Sequence, residues 1–322
     1  MTKEFKQLGL DPAMLESIGN LGYEEPTPVQ EAVIPLMLAG QDVVAQSKTG
    51  TGKTASFALP MIQMTGNERD HIQGLVVTPT RELAMQVASA VYNYGLSKDI
   101  RVLAIFGGQS YKRQIQRLDE GVDIVVGTPG RLLDLIRQNK LDISHLRTVV
   151  LDEADEMLSM GFIEDIESIL SHTPEERQTA LFSATIPGRI QQTANAYMRD
   201  PQTVRMKHKE LTVNAIEQRY YLVNREDKLA ALTRLFEMEE ITSALIFART
   251  RIETGDLANE LMRRGFPAEA LNGDLSQDIR TQVLNRFRNG QTTVLVATDV
   301  AARGLDIDDI SHVFNFDLPN DM

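Results

Sequence analysis

Between the apolar run Asp42–Ala45 and a second apolar stretch opening near Thr54 lies Gln46-Ser47-Lys48-Thr49-Gly50-Thr51-Gly52-Lys53-Thr54. β-Branched residues before it and helix-forming residues after it read as strand, loop and helix. Two glycines within the loop let the backbone turn tightly enough for successive N–H groups to converge on one anion. The helix start adds its dipole, Lys53 can reach the outer phosphates of a nucleotide, and Thr54 offers a hydroxyl to magnesium. The run departs from Gly-x-x-x-x-Gly-Lys-[Ser/Thr] at one place, where Ser47 replaces the first glycine. A ligand-free turn is the plain alternative. The flanking strand and helix favour a phosphate cradle made of Ser47, Lys48, Thr49, Gly50, Thr51, Gly52, Lys53 and Thr54.

A strand of this kind needs neighbours, and the chain supplies them. Asp42–Ala45, Gly74–Thr78, Val102–Ile105, Ile124–Val126, Thr148–Leu151 and Thr179–Phe182 are short aliphatic runs. Helical stretches such as Thr80–Tyr94 and Gln109–Leu118 separate them, the former with Leu83, Val87 and Val91 at four-residue spacing. Alternation of this kind predicts parallel strands with crossover helices, and strands apolar throughout predict a sheet covered on both faces. The fold class is α/β. Around residues 198–214 the pattern lapses into a polar, basic stretch interrupted by Pro201. It then restarts, with strands predicted at Gln218–Val223, Ala244–Ala248, Ala268–Leu271, Thr293–Thr298 and His312–Phe316. This predicts a first domain over 1–204, a linker over 205–212 and a second domain over 213–322.

Composition narrows the function. Among 322 residues, 33 Lys and Arg face 45 Asp and Glu, a formal charge of −12. Such a field repels phosphate, so coating nucleic acid through bulk positive charge is excluded, although a local phosphate groove is not. No cysteine is present, which removes disulfides, thiolate metal sites and cysteine nucleophiles. The five histidines are scattered without ligand spacing. No apolar run approaches membrane-spanning length, and no apolar stretch follows the basic residues of the start, so a cytoplasmic location away from membranes is expected.

A second chemical cluster follows the apolar run Val149-Val150-Leu151, where the chain enters Asp152-Glu153-Ala154-Asp155. Carboxylates there stand at the C-terminal end of a buried strand, the end at which parallel α/β sheets bind ligands. Asp152 suits a magnesium ligand, and Glu153 suits a group that orients or deprotonates an attacking water. An idle acidic first turn of a helix is the alternative. With the Gly-Lys-Thr loop in the same domain, nucleotide hydrolysis is the stronger reading.

At this point the chain resembles a DEAD-box RNA helicase, since the tetrad Asp152–Asp155 is that family's signature and further motifs follow in order. Gly22-Tyr23-Glu24-Glu25-Pro26-Thr27-Pro28-Val29-Gln30 resembles its Q motif. The resemblance implies two tandem RecA-like P-loop domains that bind ATP and Mg2+, with Gln30 reading the adenine edge and Phe5 packing on the ring. Pro79, Thr80, Arg81, Gly107, Gly108, Thr128, Pro129, Gly130 and Arg131 resemble motifs that hold RNA backbone without reading bases. Asp155, Ser183 and Thr185 resemble the set coupling hydrolysis to strand separation. In the second domain, Thr250, Gly273, Gln277, Arg280 and Thr298 are implied near RNA phosphates, and Asp306 near the ribose. Without the resemblance, several of these residues read as helix caps, and Arg280 as part of a solvated basic face.

Family members continue beyond a segment like His312–Pro319 into His-Arg-Ile-Gly-Arg-Thr-Gly-Arg, which this sequence does not contain. The expectation is therefore an incomplete second domain and weak ATP turnover. ATP-driven closure of two domains on RNA is the leading functional expectation. A nucleotide-dependent RNA clamp is the alternative, and a P-loop ATPase acting on protein is a weaker one. A monomer is expected, and the sequence leaves protein partners unknown.

Overall fold

The computed structural model describes residues 4–48, 50–66, 71–206, 216–302, 305, 307 and 310–318. The chain forms two units, Met1–Lys209 and Glu210–Met322. In the first, parallel strands form one sheet: β1 (Val43–Gln46), β2 (Gly74–Val77), β3 (Val102–Ile105), β4 (Ile124–Gly127), β5 (Thr148–Leu151), β6 (Gln178–Ser183) and β7 (Gln202–Arg205). Their order is β3-β4-β2-β5-β6-β1-β7. The helices are α1 (Pro12–Asn20), α2 (Pro28–Leu38), α3 (Lys53–Met64), α4 (Arg81–Tyr94), α5 (Tyr111–Asp119), α6 (Pro129–Arg137), α7 (Ala154–Ser159), α8 (Ile163–Ser171) and α9 (Gly188–Tyr197).

Two-residue periodicity sorts the strand side chains onto two faces. Val43, Ala45, Val76, Ile124, Val126, Val150, Ala180 and Phe182 pack with α2, α3 and α4. Val44, Leu75, Val77, Val125, Val149, Leu151 and Leu181 face the other way, among side chains of α6, α8 and α9. Phe57 and Phe182 are wholly buried with ring centroids 5.1 Å apart. Truncating either ring is expected to cost about 3–5 kcal/mol.

Register does the most to position the site. Ile105, Gly127, Val77, Leu151, Leu181 and Val44 lie side by side in one row across six strands. Just beyond that row the chain leaves the sheet at Gly107, Thr128, Pro79, Asp152, Ser183 and Ser47. The phosphate loop, the Asp152–Asp155 tetrad, Ser183 and the loops after β2, β3 and β4 therefore emerge at the same C-terminal edge.

In the second unit the parallel strands are β8 (Ala244–Phe247), β9 (Ala268–Leu271), β10 (Val294–Ala297) and β11 (His312–Asn315), in the order β11-β8-β10-β9. Helices α10 (Lys228–Met238) and α11 (Arg251–Arg263) cover one face, and α12 (Gln277–Arg288) the other. A short helix, α13 (Asp299–Ala302), follows β10.

Two expectations need correction. Gln218–Val223 is an exposed, irregular segment, with Tyr220 at 86% exposure and Leu222 at 93%. Its Tyr-Tyr-Leu-Val run has strand propensity but gains no sheet partner, and propensity without burial does not hold a strand. The predicted linker began at Arg205, but Arg205 ends β7, and the Met206 N–H still donates to the Gln46 carbonyl. The rest of that linker, 207–212, lies outside the described residues. Among the described residues no helix is long and apolar enough to cross a membrane.

Candidate nucleotide site and backbone-contact loops

β1 feeds the phosphate loop directly into α3. Gly50 and Gly52 have φ of +76° and +88°, the left-handed backbone that the loop requires and that glycine adopts without strain. The Ser47 N–H donates to the Ser183 carbonyl, fixing the loop entry to β6. Ser47 and Thr51 hydroxyls meet at 2.6 Å, and Thr51 also donates to the Lys48 carbonyl. Ser47 thus replaces the expected glycine with a side chain that braces the loop from within. Lys48 and Gly50 are exposed and Thr54 is half-buried at the helix start. Thr49 lies outside the described residues.

Gln30 belongs to the capping box of α2: its Oε1 accepts from the Thr27 N–H at 2.9 Å, and its Nε2 donates to the Gly52 carbonyl at 3.1 Å. Its amide therefore links the Q motif to the phosphate loop. Phe5 is buried against the edge of Tyr23, with centroids 6.3 Å apart, as part of the hydrophobic core. The Tyr23 and Tyr94 hydroxyls meet at 2.7 Å.

Asp152 and Glu153 follow β5. Asp152 is 2% exposed and Lys53 7% exposed. A lysine standing free in an open loop is the natural expectation for this motif, but Lys53 is packed into the first turn of α3, electrostatically coupled to both carboxylates. Burial pushes the Asp152 carboxyl up, against the opposing pull of Lys53. Burial, and then the neighbouring Asp152 charge, push Glu153 up to about 7. Glu153 also has φ +53°, a left-handed conformation uncommon for a residue with a β-carbon. The Asp155 carboxylate accepts from the Thr185 N–H at 2.8 Å and from its hydroxyl at 2.9 Å. Ser183 Oγ accepts from the Asp155 N–H and donates to the Thr185 carbonyl. Burial alone would raise the Asp155 carboxyl; the bonds from Ser183 and Thr185 outweigh it and hold the group below its ordinary value.

The residues expected to contact RNA backbone occupy the adjoining loops. Thr80 caps α4, its Oγ accepting from the Leu83 N–H, and Pro79 is buried. Thr128 and Pro129 begin α6, followed by half-buried Gly130. Gly107 and exposed Gly108 form the turn after β3. Arg131 is 9% exposed and bonded to Gln109 and Gln114. Gln114, 2% exposed, and Tyr111, whose ring lies over Arg131, were not marked by any sequence signal beyond being an amide and a ring in a charged helix.

In the second unit, Thr250 forms a capping box with Glu253 at α11, and Thr298 accepts from the Ala301 N–H. Gly273 is exposed, whereas Gln277 and Arg280 are buried. Arg280 donates to the Ala301 carbonyl, so the reading of a solvated basic face does not hold there. Arg286 instead pairs with Glu269. Asp306 lies outside the described residues.

A glycine-rich loop feeding a helix, one buried and one half-buried carboxylate beside it and a parallel sheet in each unit define a P-loop protein of α/β class. Comparison with known sequences is consistent across both units. The DEAD/DEAH box helicase family profile matches residues 27–193, and the helicase conserved C-terminal domain profile matches residues 227–322. The DEAD-box ATP-dependent RNA helicase CshA of Geobacillus kaustophilus is 50% identical over 98% of this chain and 68% of its own length. CshA of Listeria monocytogenes is 48% identical over 100% of the chain and 62% of its own length. The chain thus spans roughly two thirds of the curated relatives it matches. Among solved structures, S. cerevisiae Dbp5 bound to RNA and ADP BeF3 superposes with a TM-score of 0.88 at 34% identity, over 98% of this chain and 81% of that one. A DEAD box protein from Methanococcus jannaschii gives 0.61 at 42% identity, over 99% and 86%. This chain belongs to the DEAD-box family of ATP-dependent RNA helicases.

Proposed function

We propose that the protein uses ATP to separate short RNA duplexes, holding RNA by its backbone and reading little sequence. One observation carries the reading: a single register row brings the phosphate loop, the Asp152–Glu153 pair and three backbone-contact loops to one sheet edge. Lys53 and the loop N–H groups would take the phosphates. Asp152 is a hard oxygen donor whose buried charge Lys53 and the Glu153 N–H offset, and with the Thr54 hydroxyl it would make a donor set suited to Mg2+. Magnesium held there would draw charge from the phosphate oxygens. Glu153, half-buried at the sheet edge, would orient the attacking water and accept its proton.

Asp155, Ser183 and Thr185 would pass the state of the nucleotide on to the chain after β6. Thr80, Thr128 and the Gly107–Gly108 turn would hold phosphates by hydroxyl and N–H groups, with Thr250, Gly273 and Thr298 the corresponding set in the second unit. The test is steady-state ATP hydrolysis with and without single-stranded RNA, alongside displacement of a short labelled RNA strand. RNA-stimulated hydrolysis with ATP-dependent displacement is expected. Binding of both ligands without turnover would replace this reading with that of a clamp.

A further inference from the structure

The Gly107–Gly108 turn is gripped from two sides. Gln114 reaches from α5 and donates through Nε2 to the Phe106 carbonyl at 3.1 Å, and at 3.3 Å to Gln109 Oε1, spanning both ends of the turn. Its Oε1 accepts from Arg131 Nη1 at 2.8 Å, and the same nitrogen donates to the Gln109 carbonyl at 3.2 Å. The guanidinium carbon lies 3.8 Å from the Tyr111 ring centroid, and the Tyr111 hydroxyl donates to Asp134 on α6 at 2.8 Å. From the other side, Arg81 fills the space where a β-carbon on Gly108 would stand, and Gly108 holds φ +84°. A guanidinium turned outward to a phosphate would abandon the Gln109 carbonyl and leave the buried Gln114 oxygen unpaired.

We propose that Arg131 serves RNA binding as a positioning residue, clasped with Gln114 and Tyr111 to hold the Gly107–Gly108 turn in shape, and not as a phosphate contact. The proposal rests on the reading that this turn takes RNA phosphate. Its geometry depends on a planar, stacked guanidinium with several fixed donors, which a lysine does not reproduce. It also depends on Gln114 as much as on Arg131, although Gln114 carries no charge.

The experiment measures binding of a single-stranded oligouridylate to the full chain with a non-hydrolysable ATP analogue, across a salt series, for Arg131→Ala, Arg131→Lys, Gln114→Leu and Tyr111→Ala. Amide hydrogen exchange of 107–109 is followed in the free proteins. Arg131→Ala, Arg131→Lys and Gln114→Leu are each expected to weaken RNA binding about tenfold. The double variant Arg131→Ala/Gln114→Leu should be little worse than either single one, because both remove one clasp. The salt slope should stay unchanged, exchange at 107–109 should quicken, and ATP affinity should hold. Tyr111→Ala removes only an exposed ring, so it tests the clasp without risk to the core, and faster exchange at 107–109 is expected there too.

Rescue by Arg131→Lys, or a slope flattened by about 0.7 as for a lost phosphate contact on single strands, would overturn the proposal. Unchanged exchange in all four variants would overturn it as well. If the unaltered protein binds no RNA, the RNA reading falls and this role falls with it; faster exchange would then show a clasp that serves some other end.

Discussion

Lys53 stands in the first turn of α3 beside two carboxylates that burial drives toward protonation. Removing it takes away a phosphate contact and also the cation that offsets buried negative charge. Lys53→Ala is therefore expected to lower ATP affinity at least about tenfold, and to lower the unfolding temperature by roughly 2–4 °C. Nucleotide titration and thermal unfolding check the two effects separately; an unchanged melting temperature would mean that Lys53 contributes nothing to the fold. Asp152→Asn should move stability the other way. The carboxyl's folded pKa lies above its ordinary value, so its ionised form opposes folding at neutral pH, and a neutral isostere removes that cost. A raised melting temperature with ATP turnover lost is the expected outcome, a trade of stability against function common at active sites.

At the scale of elements, α2 meets the phosphate loop at Gly52, whose carbonyl accepts from Gln30 Nε2. A β-carbon on Gly52 would lie 2.5 Å from Gln30 Nε2 and 3.0 Å from Thr27 Oγ1, in a backbone conformation that already excludes most residues. Gly52→Ala is expected to disrupt the α2 cap together with the loop, which a melting curve and ATP titration would both register. On β9, Glu269 accepts from Arg286 on α12 and from Thr292, and chiefly the Arg286 bond holds its carboxyl below the ordinary value near 4.5. A depressed carboxylate contributes stability above its unfolded pKa and loses it as pH falls through the folded one. Acid unfolding of the second unit should therefore steepen below about pH 4.5, and Glu269→Gln should flatten that dependence; identical acid curves would refute the assignment. Elements of this kind were unevenly legible in the sequence. Parallel strands buried on both faces announce themselves as apolar runs, so β2, β4 and β5 were plain. β7 was missed because Gln202, Thr203 and Arg205 are exposed at an edge and carry no apolar pattern. The phosphate loop and the Asp152–Glu153 pair were readable from local spacing and the other candidate residues only through the family resemblance, whereas the burial of Lys53, Arg131 and Arg280 follows from packing between elements far apart in sequence.

For the whole molecule, a charge of −12 sets the terms on which any polyanion is approached. Binding of single-stranded RNA should weaken steeply with salt, with a log–log slope of about −3.5 if about five phosphates are neutralised, and should vary little among sequences. A flat salt response, or marked preference for one sequence, would contradict backbone recognition. A quieter consequence belongs to β7, the last strand in the sheet order, hydrogen-bonded along β1. Without it, the Val43-Val44-Ala45 strand that leads into the phosphate loop would offer a bare apolar edge to any neighbouring chain. The edge carries instead a four-residue strand with a proline just before it and an arginine at its end. Replacing Gln202, Thr203 and Arg205 with valine should leave the nucleotide site intact, yet make concentrated solutions turn turbid through edge-to-edge pairing. The strand with no part in the chemistry would then be what keeps separate copies of the protein from aggregating.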